Sequence, residues 1–373
     1  MSSNSTVSWS EGGRVCSARW RAENGAPAPS RIVVSDDGMR ADTAYRLALS
    51  GTGLLWRGDF QNGRQLLAAI ERRLDRKPRR SVSAPKEAFH LYRQEQARRA
   101  SVLGRVLVPV EQGYVVPLRR APDVRHACLD AYGSAAEPFV TSLRELLGVV
   151  GAHEWRRNGV SIPALGARIH PHYGVFSPVR GEYVDLVANE PLGTKKLAFD
   201  IGTGTGVLAA VLIGRGVERV VATDTDPRAL SCAKENLDRL GIGGKVEVVR
   251  ADLFPPGRAP LIVCNPPWIP ARPSSPIERA VYDPGSRMLR GFLDRLSRHL
   301  EPGGEGWLIL SDLAEHLGLR VRAEVLSAID AAGLRVSGRS DITPVHPKAF
   351  DRTDPLHAAR AAEVTSLWRL SVR

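Results

Sequence analysis

The chain has 373 residues, of which 43% are hydrophobic and 25% charged, a composition typical of globular proteins rather than disordered or fibrous ones. Its formal net charge at pH 7 is +12, and no apolar run approaches the roughly 20 residues of a membrane-spanning helix. The four cysteines lie far apart and form no CxxC pair. Neither a zinc site nor a disulfide framework is therefore predicted, and a length of this order allows two domains.

Residues 1–40 open with the polar stretch MSSNSTVSWSEGGR. This stretch lacks the apolar core of a signal peptide, so the segment is predicted to be a flexible tail. A reducing cytoplasm is the simplest location for such a chain with unpaired cysteines.

Residues 41–160 are predicted to form a mostly helical domain. Apolar side chains recur at helical spacing from Arg64 to Arg76 and again from Lys86 to Leu107. A short β ribbon is predicted from Val106 to Leu118. Asp123 and Pro138 are then expected to begin two further helices. A stretch rich in Gly, Asn and Pro places the end of this domain near residue 160.

Positive charge is concentrated in this first part of the chain. Residues 1–160 contain 25 basic and 16 acidic side chains, against 27 and 24 in residues 161–373. Such a surplus fits a phosphate-rich partner such as RNA, although solvated arginine-rich helices would give the same composition. Residues 41–160 are therefore interpreted as a basic substrate-recognition domain, with RNA contact left open.

Beyond residue 195, short apolar segments alternate with amphipathic ones at βαβ spacing. The predicted strands are 196–201, 218–224, 245–249, 260–264, 307–310, 334–340 and 365–372. The predicted helices are 207–213, 227–240, 286–300 and 313–332. This alternation predicts an α/β fold with a doubly wound, mostly parallel sheet in a domain of residues 161–373. Residues 341–363 are interpreted as an excursion before the last strand.

A glycine-rich loop follows the first of these strands. Its sequence places Asp200 two residues before Gly202, followed by Thr203, Gly204, Thr205 and Gly206. Glycines allow the backbone to turn tightly and to approach a ligand closely. In open α/β sheets ligands bind beyond the carboxyl ends of the strands, which is where this loop is expected. The spacing G-x-G-x-G differs from the G-x-G-x-x-G of dinucleotide-binding folds.

Polar residues also end the next three strands. Asp224 lies 22 residues after Gly202, where a carboxylate accepts hydrogen bonds from ribose hydroxyls in dinucleotide folds. Asp252 ends the third strand and is a candidate acceptor for an adenine amino group. Asn265 ends the fourth strand, followed by Pro266, Pro267 and Trp268. This last motif predicts either a turn with a buried aromatic ring or a rigid pocket wall that presents an amide oxygen and a flat ring.

Taken together, these motifs resemble those of class I S-adenosylmethionine-dependent methyltransferases over about residues 170–373. The NPPW motif resembles the (N/D)PP(Y/F/W) motif of the HemK-type and small-domain methyltransferases, which act on planar amino groups. HemK-type enzymes usually carry Tyr where this chain has Trp268. The segment from Tyr173 to Tyr183 resembles the one that covers the cofactor, and Leu300 to Gly304 the family's L-x-P-G-G passage. Residues 1–160 resemble no family.

The resemblance implies a Rossmann-like, seven-stranded, mostly parallel sheet and S-adenosyl-L-methionine as cofactor. It implies cofactor contacts from Asp200, the loop at 202–206, Asp224, Asp252 and Asn265. It also implies that the side-chain oxygen of Asn265 and the carbonyl of Pro266 accept the two hydrogens of the target amine, while Trp268 stacks on the flat substrate. The nitrogen lone pair is thereby steered out of the π plane and toward the methyl group.

Several substrates and functions remain open at this point. The amine could belong to a glutamine of a translation factor or ribosomal protein, to an RNA base, or to a small molecule. A nicotinamide-dependent oxidoreductase would leave the NPPW motif without a role. A non-catalytic module of the same fold would retain the cofactor motifs only by accident.

His170 and His172 are two residues apart, but no nearby acid or cysteine completes a metal site. Cys264 is interpreted as a buried thiol.

Overall fold

The computed structural model describes residues 5–76, 82–134, 137–275, 277–345 and 347–373. The chain divides into two compact units. The first contains residues up to 81 together with 90–154, and the second contains 82–89 together with 155–373. The division between 154 and 155 lies a few residues before the expected boundary near 160.

The first unit is built on a six-stranded mixed sheet with the strand order β1-β2-β6-β5-β4-β3. Its strands are β1 (Thr6–Glu11), β2 (Arg14–Trp20), β3 (Ile32–Ser35), β4 (Gly53–Trp56), β5 (Val106–Val110) and β6 (Phe139–Ser142). The helices that the structure describes in this part of the chain are α1 (Ala41–Leu49), α2 (Phe60–Asp75), α3 (Pro85–Leu103), α4 (Arg125–Tyr132) and α5 (Leu143–Asn158).

The prediction of a flexible tail over residues 1–40 is wrong for the part that the structure describes. Strands β1 and β2 form an antiparallel pair that runs from Thr6 opposite Arg19 to Glu11 opposite Arg14. In β1, Val7 and Trp9 are buried while Thr6, Ser8 and Ser10 are exposed. This two-residue alternation buries one apolar face of the strand, and burial of apolar surface favours the folded state of the segment.

Helices α1 to α5 make up most of residues 41–160, as predicted, but the prediction missed strands β4 and β6, which place this region in a mixed sheet. Of the ribbon expected from Val106 to Leu118, the structure forms strand β5, which pairs with β4 and β6, and a turn at Gln112–Tyr114 closed by an antiparallel bridge between Glu111 and Val115. Pro138 precedes strand β6 rather than a helix. All four residues of β4 are buried, and such a short apolar run has no periodicity that separates a strand from a helix.

The second unit contains a seven-stranded sheet with the order β11-β10-β9-β12-β13-β15-β14. Its strands are β9 (Leu197–Ile201), β10 (Arg219–Asp224), β11 (Val246–Arg250), β12 (Ala259–Cys264), β13 (Leu300–Ser311), β14 (Leu334–Ile342) and β15 (Thr365–Val372), and a separate hairpin is formed by β7 (Val160–Ile162) and β8 (Ala167–Ile169). Strand β15 runs antiparallel to its two neighbours, whereas the pairs from β11 to β13 are parallel. The predicted α/β class with a mostly parallel sheet is thus confirmed.

Helices cover both faces of this sheet. The helices that the structure describes after residue 160 are α6 (Glu182–Asn189), α7 (Val207–Gly214), α8 (Pro227–Arg239), α9 (Arg287–His299), α10 (Leu313–His316), α11 (Arg322–Ala331), α12 (Pro347–Phe350) and α13 (His357–Ala361); α6, α7 and α8 pack on one face of the sheet, and α9 and α11 on the other. The single helix expected over 313–332 is interrupted, because Gly318 adopts a left-handed conformation with φ of 66°. Neighbouring strand residues face opposite cores: Ala198 packs on one face of the sheet and Phe199 on the other.

The chain order reverses at the centre of the sheet, between β9 and β12. From β9 the chain proceeds outward to β10 and β11, and then returns to the other side of β9 as β12. Ile201 lies beside Cys264 in the parallel register of these two strands. The residues that follow, Gly202 and Asn265, therefore leave the sheet side by side at its switch point, where open α/β sheets bind ligands. Across the described residues, no helix is long and apolar enough to cross a membrane.

Candidate active site

A cavity of about 570 Å³ opens at the carboxyl ends of β9 to β12, a volume in the range of small-molecule binding pockets. The structure brings most of the sequence-predicted site residues to this one cavity. Those that line it are Gly202, Thr203, Gly204, Thr205, Asp224, Asp252, Asn265, Pro266 and Trp268. All of them belong to the second unit.

Asp200 and Gly206 are not among the residues that line the cavity. Asp200 is 1% exposed, and its Oδ2 accepts hydrogen bonds from the Thr203 hydroxyl at 2.6 Å and the Ala209 amide at 3.2 Å. Burial raises the pKa of this carboxyl to about 6, against the opposing effect of these two donors. Asp200 therefore does not make the expected cofactor contact. Its carboxylate instead joins the glycine loop to the start of α7.

The glycine loop adopts backbone conformations that other residues rarely reach. Gly202, Gly204 and Gly206 all have positive φ. A Cβ on Gly206 would lie 3.2 Å from the Cα of Ala233, so this glycine allows the loop to pack against α8. A Cβ on Gly204 would meet nothing within 4 Å. Because Gly204 lines the cavity, the loop backbone borders open space there.

Asp224 is held in place by backbone donors at the end of β10. Its Oδ2 accepts from the Gly204 amide at 3.1 Å, and its Oδ1 accepts from the Asp226 amide at 2.9 Å. Burial raises the pKa of Asp224 above its ordinary value, and the two amide donors partly oppose this effect. Each carboxylate oxygen can accept more than one hydrogen bond, so Asp224 keeps acceptor capacity toward the cavity. Capping of α8 falls instead to Asp226, which accepts from the Arg228 amide.

Asp252 lies at the rim of the cavity with its side chain 86% exposed, and its Oδ2 lies 3.8 Å from Nη2 of Arg295. The next residue, Leu253, also lines the cavity and has φ of 71°. A left-handed conformation is costly for a leucine and is typical of binding sites, where the surrounding structure holds it. The hydroxyl of Thr223 donates to the Leu253 carbonyl and stabilises this turn.

The NPPW motif forms the wall of the cavity beyond β12. The indole Nε1 of Trp268 donates to Oδ1 of Asn265 at 2.9 Å, while the ring packs against both hydrophobic cores of the sheet. The following residue, Ile269, forms a parallel bridge with Tyr282. This bridge fixes the wall to the loop that leads into α9. Both sequence interpretations of the motif thus hold in part, since Trp268 is half-buried and also lines the cavity.

Several lining residues were not singled out by sequence reasoning. Arg180 belongs to the segment 173–183 that the resemblance had marked, and its guanidinium lies 5.8 Å from the centre of the Trp268 ring. Asp283 is 8% exposed and accepts from the Met288 amide at 2.7 Å, which caps the start of α9. Nothing local in the sequence distinguishes Asp283 from any other loop carboxylate.

The two histidines weighed as a metal pair have other partners. Nδ1 of His170 lies 2.6 Å from the Arg156 carbonyl, and Nε2 of His172 lies 2.8 Å from Glu235. No cluster of His, Cys, Asp and Glu suited to a metal occurs within the described ranges. Cys264 is fully buried, and burial raises the pKa of its thiol well above the ordinary value, so this side chain is an unreactive part of the core.

Residues 167–317 match the family model described as the methyltransferase small domain. Among curated proteins, the chain is 36% identical over 146 residues to the ribosomal protein L11 methyltransferase of Pelotomaculum thermopropionicum, covering 38% of this chain and 39% of that protein. It is 32% identical over 174 residues to the release factor glutamine methyltransferase of Cereibacter sphaeroides, covering 43% and 59%.

A third relative, the tRNA1(Val) (adenine(37)-N6)-methyltransferase of Shewanella loihica, is 27% identical over 212 residues, covering 52% of this chain and 84% of that protein. The chain thus spans 39% and 59% of the length of the first two relatives. Each of the three relatives is similar to part of this protein, and their names include both protein and RNA targets.

Proposed function

We propose that the protein is an S-adenosylmethionine-dependent N-methyltransferase that modifies a planar amino group, a proposal supported by the match of residues 167–317 to the methyltransferase small domain model. One observation supports this activity above the others. The acceptor oxygen of Asn265 and the glycine loop held by Asp224 belong to the same cavity. An amine acceptor and a cofactor cradle are thereby combined at one switch point.

The residues present fit this cofactor. Asp224 is the candidate acceptor for the ribose hydroxyls, since backbone amides already orient both of its oxygens. The open space beside Gly204 leaves room for a ligand against the loop backbone. Asp252 lies on the rim, where its exposed carboxylate can accept from an adenine amino group. When bound, S-adenosylmethionine supplies a methyl group on a positively charged sulfur.

The NPPW wall suits an amine whose lone pair is delocalised. A carbonyl oxygen has two lone pairs, and Trp268 occupies one on the Asn265 oxygen. The second remains for a hydrogen of the target amine, and the Pro266 carbonyl is the candidate acceptor for the other hydrogen. Holding both hydrogens in one plane directs the nitrogen lone pair out of that plane. Catalysis of this kind depends on positioning rather than on a strong base.

We propose a protein side-chain carboxamide as the first candidate target. Support comes from two relatives named for protein substrates. Several arginines of the first unit are paired with acids, which fixes their side chains but leaves the net positive charge of the unit unchanged. Arg73 lies 2.7 Å from Asp42, and Arg99 contacts both Glu71 and Asp75. We assign this unit, including the basic residues 41–160, to substrate recognition.

An exocyclic amine of an RNA base is the second candidate target. It is supported by the tRNA methyltransferase relative and by the surplus of basic residues between 71 and 125, where 14 basic side chains accompany 6 acidic ones. A base could stack on the Trp268 ring, since base–aromatic stacking is tolerant of sequence.

The test uses the purified protein, methyl-labelled S-adenosylmethionine and lysate from a strain lacking the gene. The labelled material is divided between protease and ribonuclease digestion. Label lost only with protease supports a protein target, which mass spectrometry of the labelled peptide then assigns to a carboxamide or an amine, and label lost with ribonuclease moves the RNA base to first place. The Asn265→Ala variant serves as a control for transfer by contaminants. Failure of the wild-type protein to bind the cofactor or transfer label would refute the proposed activity.

A further inference from the structure

A fully buried carboxylate, Glu363, precedes strand β15. Its Oε1 accepts from the hydroxyl of Ser311 at 2.7 Å, and its Oε2 accepts from Nη2 of Arg180 at 3.0 Å. A buried charge is costly unless it is paired and hydrogen-bonded. Both oxygens of Glu363 have partners, so the charge of this buried carboxylate is compensated by Arg180 and the Ser311 hydroxyl.

The arginine in this pair reaches the NPPW wall. Arg180 lines the cavity, and its guanidinium lies 5.8 Å from the centre of the Trp268 ring. A guanidinium at this distance over an indole face attracts it electrostatically. Trp268 is therefore held twice: its face contacts Arg180, and its N–H donates to Asn265. A continuous chain of contacts leads from Glu363 through Arg180 and Trp268 to the amide that faces the target amine.

We propose that Arg180 is a positioning residue for methyl transfer and that Glu363 fixes its location. Resting on the function proposed above, this inference adds two residues to its mechanism. Without the arginine, the Trp268 ring can turn about its side-chain bonds, and its N–H then leaves the Asn265 oxygen. That oxygen would lose the orientation on which alignment of the target amine depends. Neither Arg180 nor Glu363 is required to touch the reacting atoms.

Another buried carboxylate provides a comparison. Glu190, at the end of α6, is 6% exposed and accepts from the hydroxyl of Ser340 at 2.6 Å. Like Glu363, it joins the 173–190 region to the C-terminal part of the sheet. Its side-chain partners among the described residues, Ser340 and Arg369, do not line the cavity. Loss of the Glu190 charge therefore measures the general effect of removing a buried carboxylate.

The experiment compares Arg180→Met, Arg180→Lys and Glu363→Gln with Glu190→Gln as the matched control, all in the full-length chain. Three quantities are measured for each variant. They are the affinity for S-adenosylhomocysteine by calorimetry, the initial rate of label transfer to lysate, and the Trp268 emission with its acrylamide quenching. The Trp268 signal is obtained by subtracting the corresponding variant that also carries Trp268→Phe.

We expect Arg180→Met and Glu363→Gln to slow transfer roughly 10- to 100-fold, the scale of a misplaced reacting group. Their Trp268 signal should become more quenchable. Because Arg180 lies in the segment 173–183 that resembles the one covering the cofactor, affinity for S-adenosylhomocysteine is compared separately, and the loss of rate at saturating cofactor should exceed any loss of affinity. Arg180→Lys should restore part of the rate, because lysine keeps the charge but cannot lie flat over the ring. Glu190→Gln should match wild type in rate and in the Trp268 signal.

Two results would overturn the inference. One is a wild-type rate and Trp268 signal in Arg180→Met. The other is equal loss in Glu190→Gln and Glu363→Gln, which would reveal a general structural effect. If wild-type protein fails to bind S-adenosylhomocysteine, the proposed function fails. The Trp268 signal, which is measured without cofactor, still decides whether Arg180 and Glu363 hold the ring.

Discussion

The indole N–H of Trp268 donates to the side-chain oxygen of Asn265 at 2.9 Å. This contact fixes which end of the Asn265 amide faces the ring and leaves one lone pair of its oxygen for another donor. Trp268→Phe keeps a flat ring but removes the donor. We expect it to lower the transfer rate by about 10-fold, on the scale of one lost hydrogen bond, with unchanged affinity for S-adenosylhomocysteine. A wild-type rate in this variant would show that the indole N–H does not orient Asn265.

Asn265→Ala removes the acceptor itself. Turnover should fall on the order of 100-fold or more, because the target amine loses a positioning contact. Affinity for the cofactor should remain largely intact, since Asp224 and the glycine loop are unchanged. Calorimetry with S-adenosylhomocysteine and initial rates with methyl-labelled cofactor separate the two effects. Unchanged turnover would refute the mechanism assigned to the NPPW motif.

Asp224→Ala should act on binding before it acts on turnover. The variant removes both an acceptor for the ribose and the acceptor of the Gly204 amide. Affinity for S-adenosylhomocysteine should fall roughly 10- to 100-fold, the range for a lost hydrogen bond to a charged group. Asp226→Ala is the comparison, since that side chain caps α8 and its loss should lower the unfolding free energy by about 1 kcal/mol. Equal losses of affinity would contradict the role given to Asp224.

Asp200 should make the stability of the second unit depend on pH. Burial raises its folded-state pKa from 3.8 to about 6, so the ionised form is disfavoured in the fold. The stabilisation that the fold gains from protonated Asp200 is therefore fully present below pH 4 and is lost as the pH rises through about 6. Relative to Asp200→Asn, the wild-type unfolding free energy should rise by on the order of 2–3 kcal/mol between pH 7 and pH 4. Urea titrations at both pH values test this, and parallel curves would contradict it.

Two glycines of the loop should respond differently to a methyl group. Gly206→Ala places a Cβ 3.2 Å from the Ala233 backbone at a φ of 81°, so thermal unfolding should report a loss of about 1–3 kcal/mol. Gly204→Ala has the strain of a positive φ but meets no protein atom within 4 Å, so its loss of stability should be smaller and weaker cofactor binding should accompany it. If Gly204→Ala instead lowers stability more than Gly206→Ala and leaves cofactor affinity unchanged, no ligand occupies the open space beside Gly204.

The second unit is largely predictable from sequence because its strands are short apolar runs that end in polar residues. Parallel strands buried on both faces give this pattern. The carboxyl ends of such strands meet at one rim, so the sequence alone was enough to predict that Asp224, Asp252 and Asn265 lie together. The role of Asp200 could not be predicted, since a carboxylate that precedes a glycine loop can face a ligand or the loop itself.

The Arg180–Glu363 pair and the first unit mark the limits of sequence reasoning. The pair joins residues separated by 183 positions, and no local pattern connects them. In the first unit, strand β2 pairs with β6 through Arg19 and Phe139, a contact that depends on tertiary structure. The alternation of buried Val7 and Trp9 was present in the sequence and would have identified β1. Its polar outer face made it resemble a tail.

Strand β15 lies between β13 and β14 in the sheet, although the ribosome makes it after both. Until β15 inserts, one edge of β13 and the inner edge of β14 have no strand to pair with. At roughly 5–20 residues per second, the nascent chain passes through this incomplete state for a second or more. Glu363 precedes β15, so Arg180 acquires its partner in the same step. We expect closure of the sheet and formation of the NPPW wall to occur together, so pulse-labelled hydrogen exchange during refolding should detect both with a single rate.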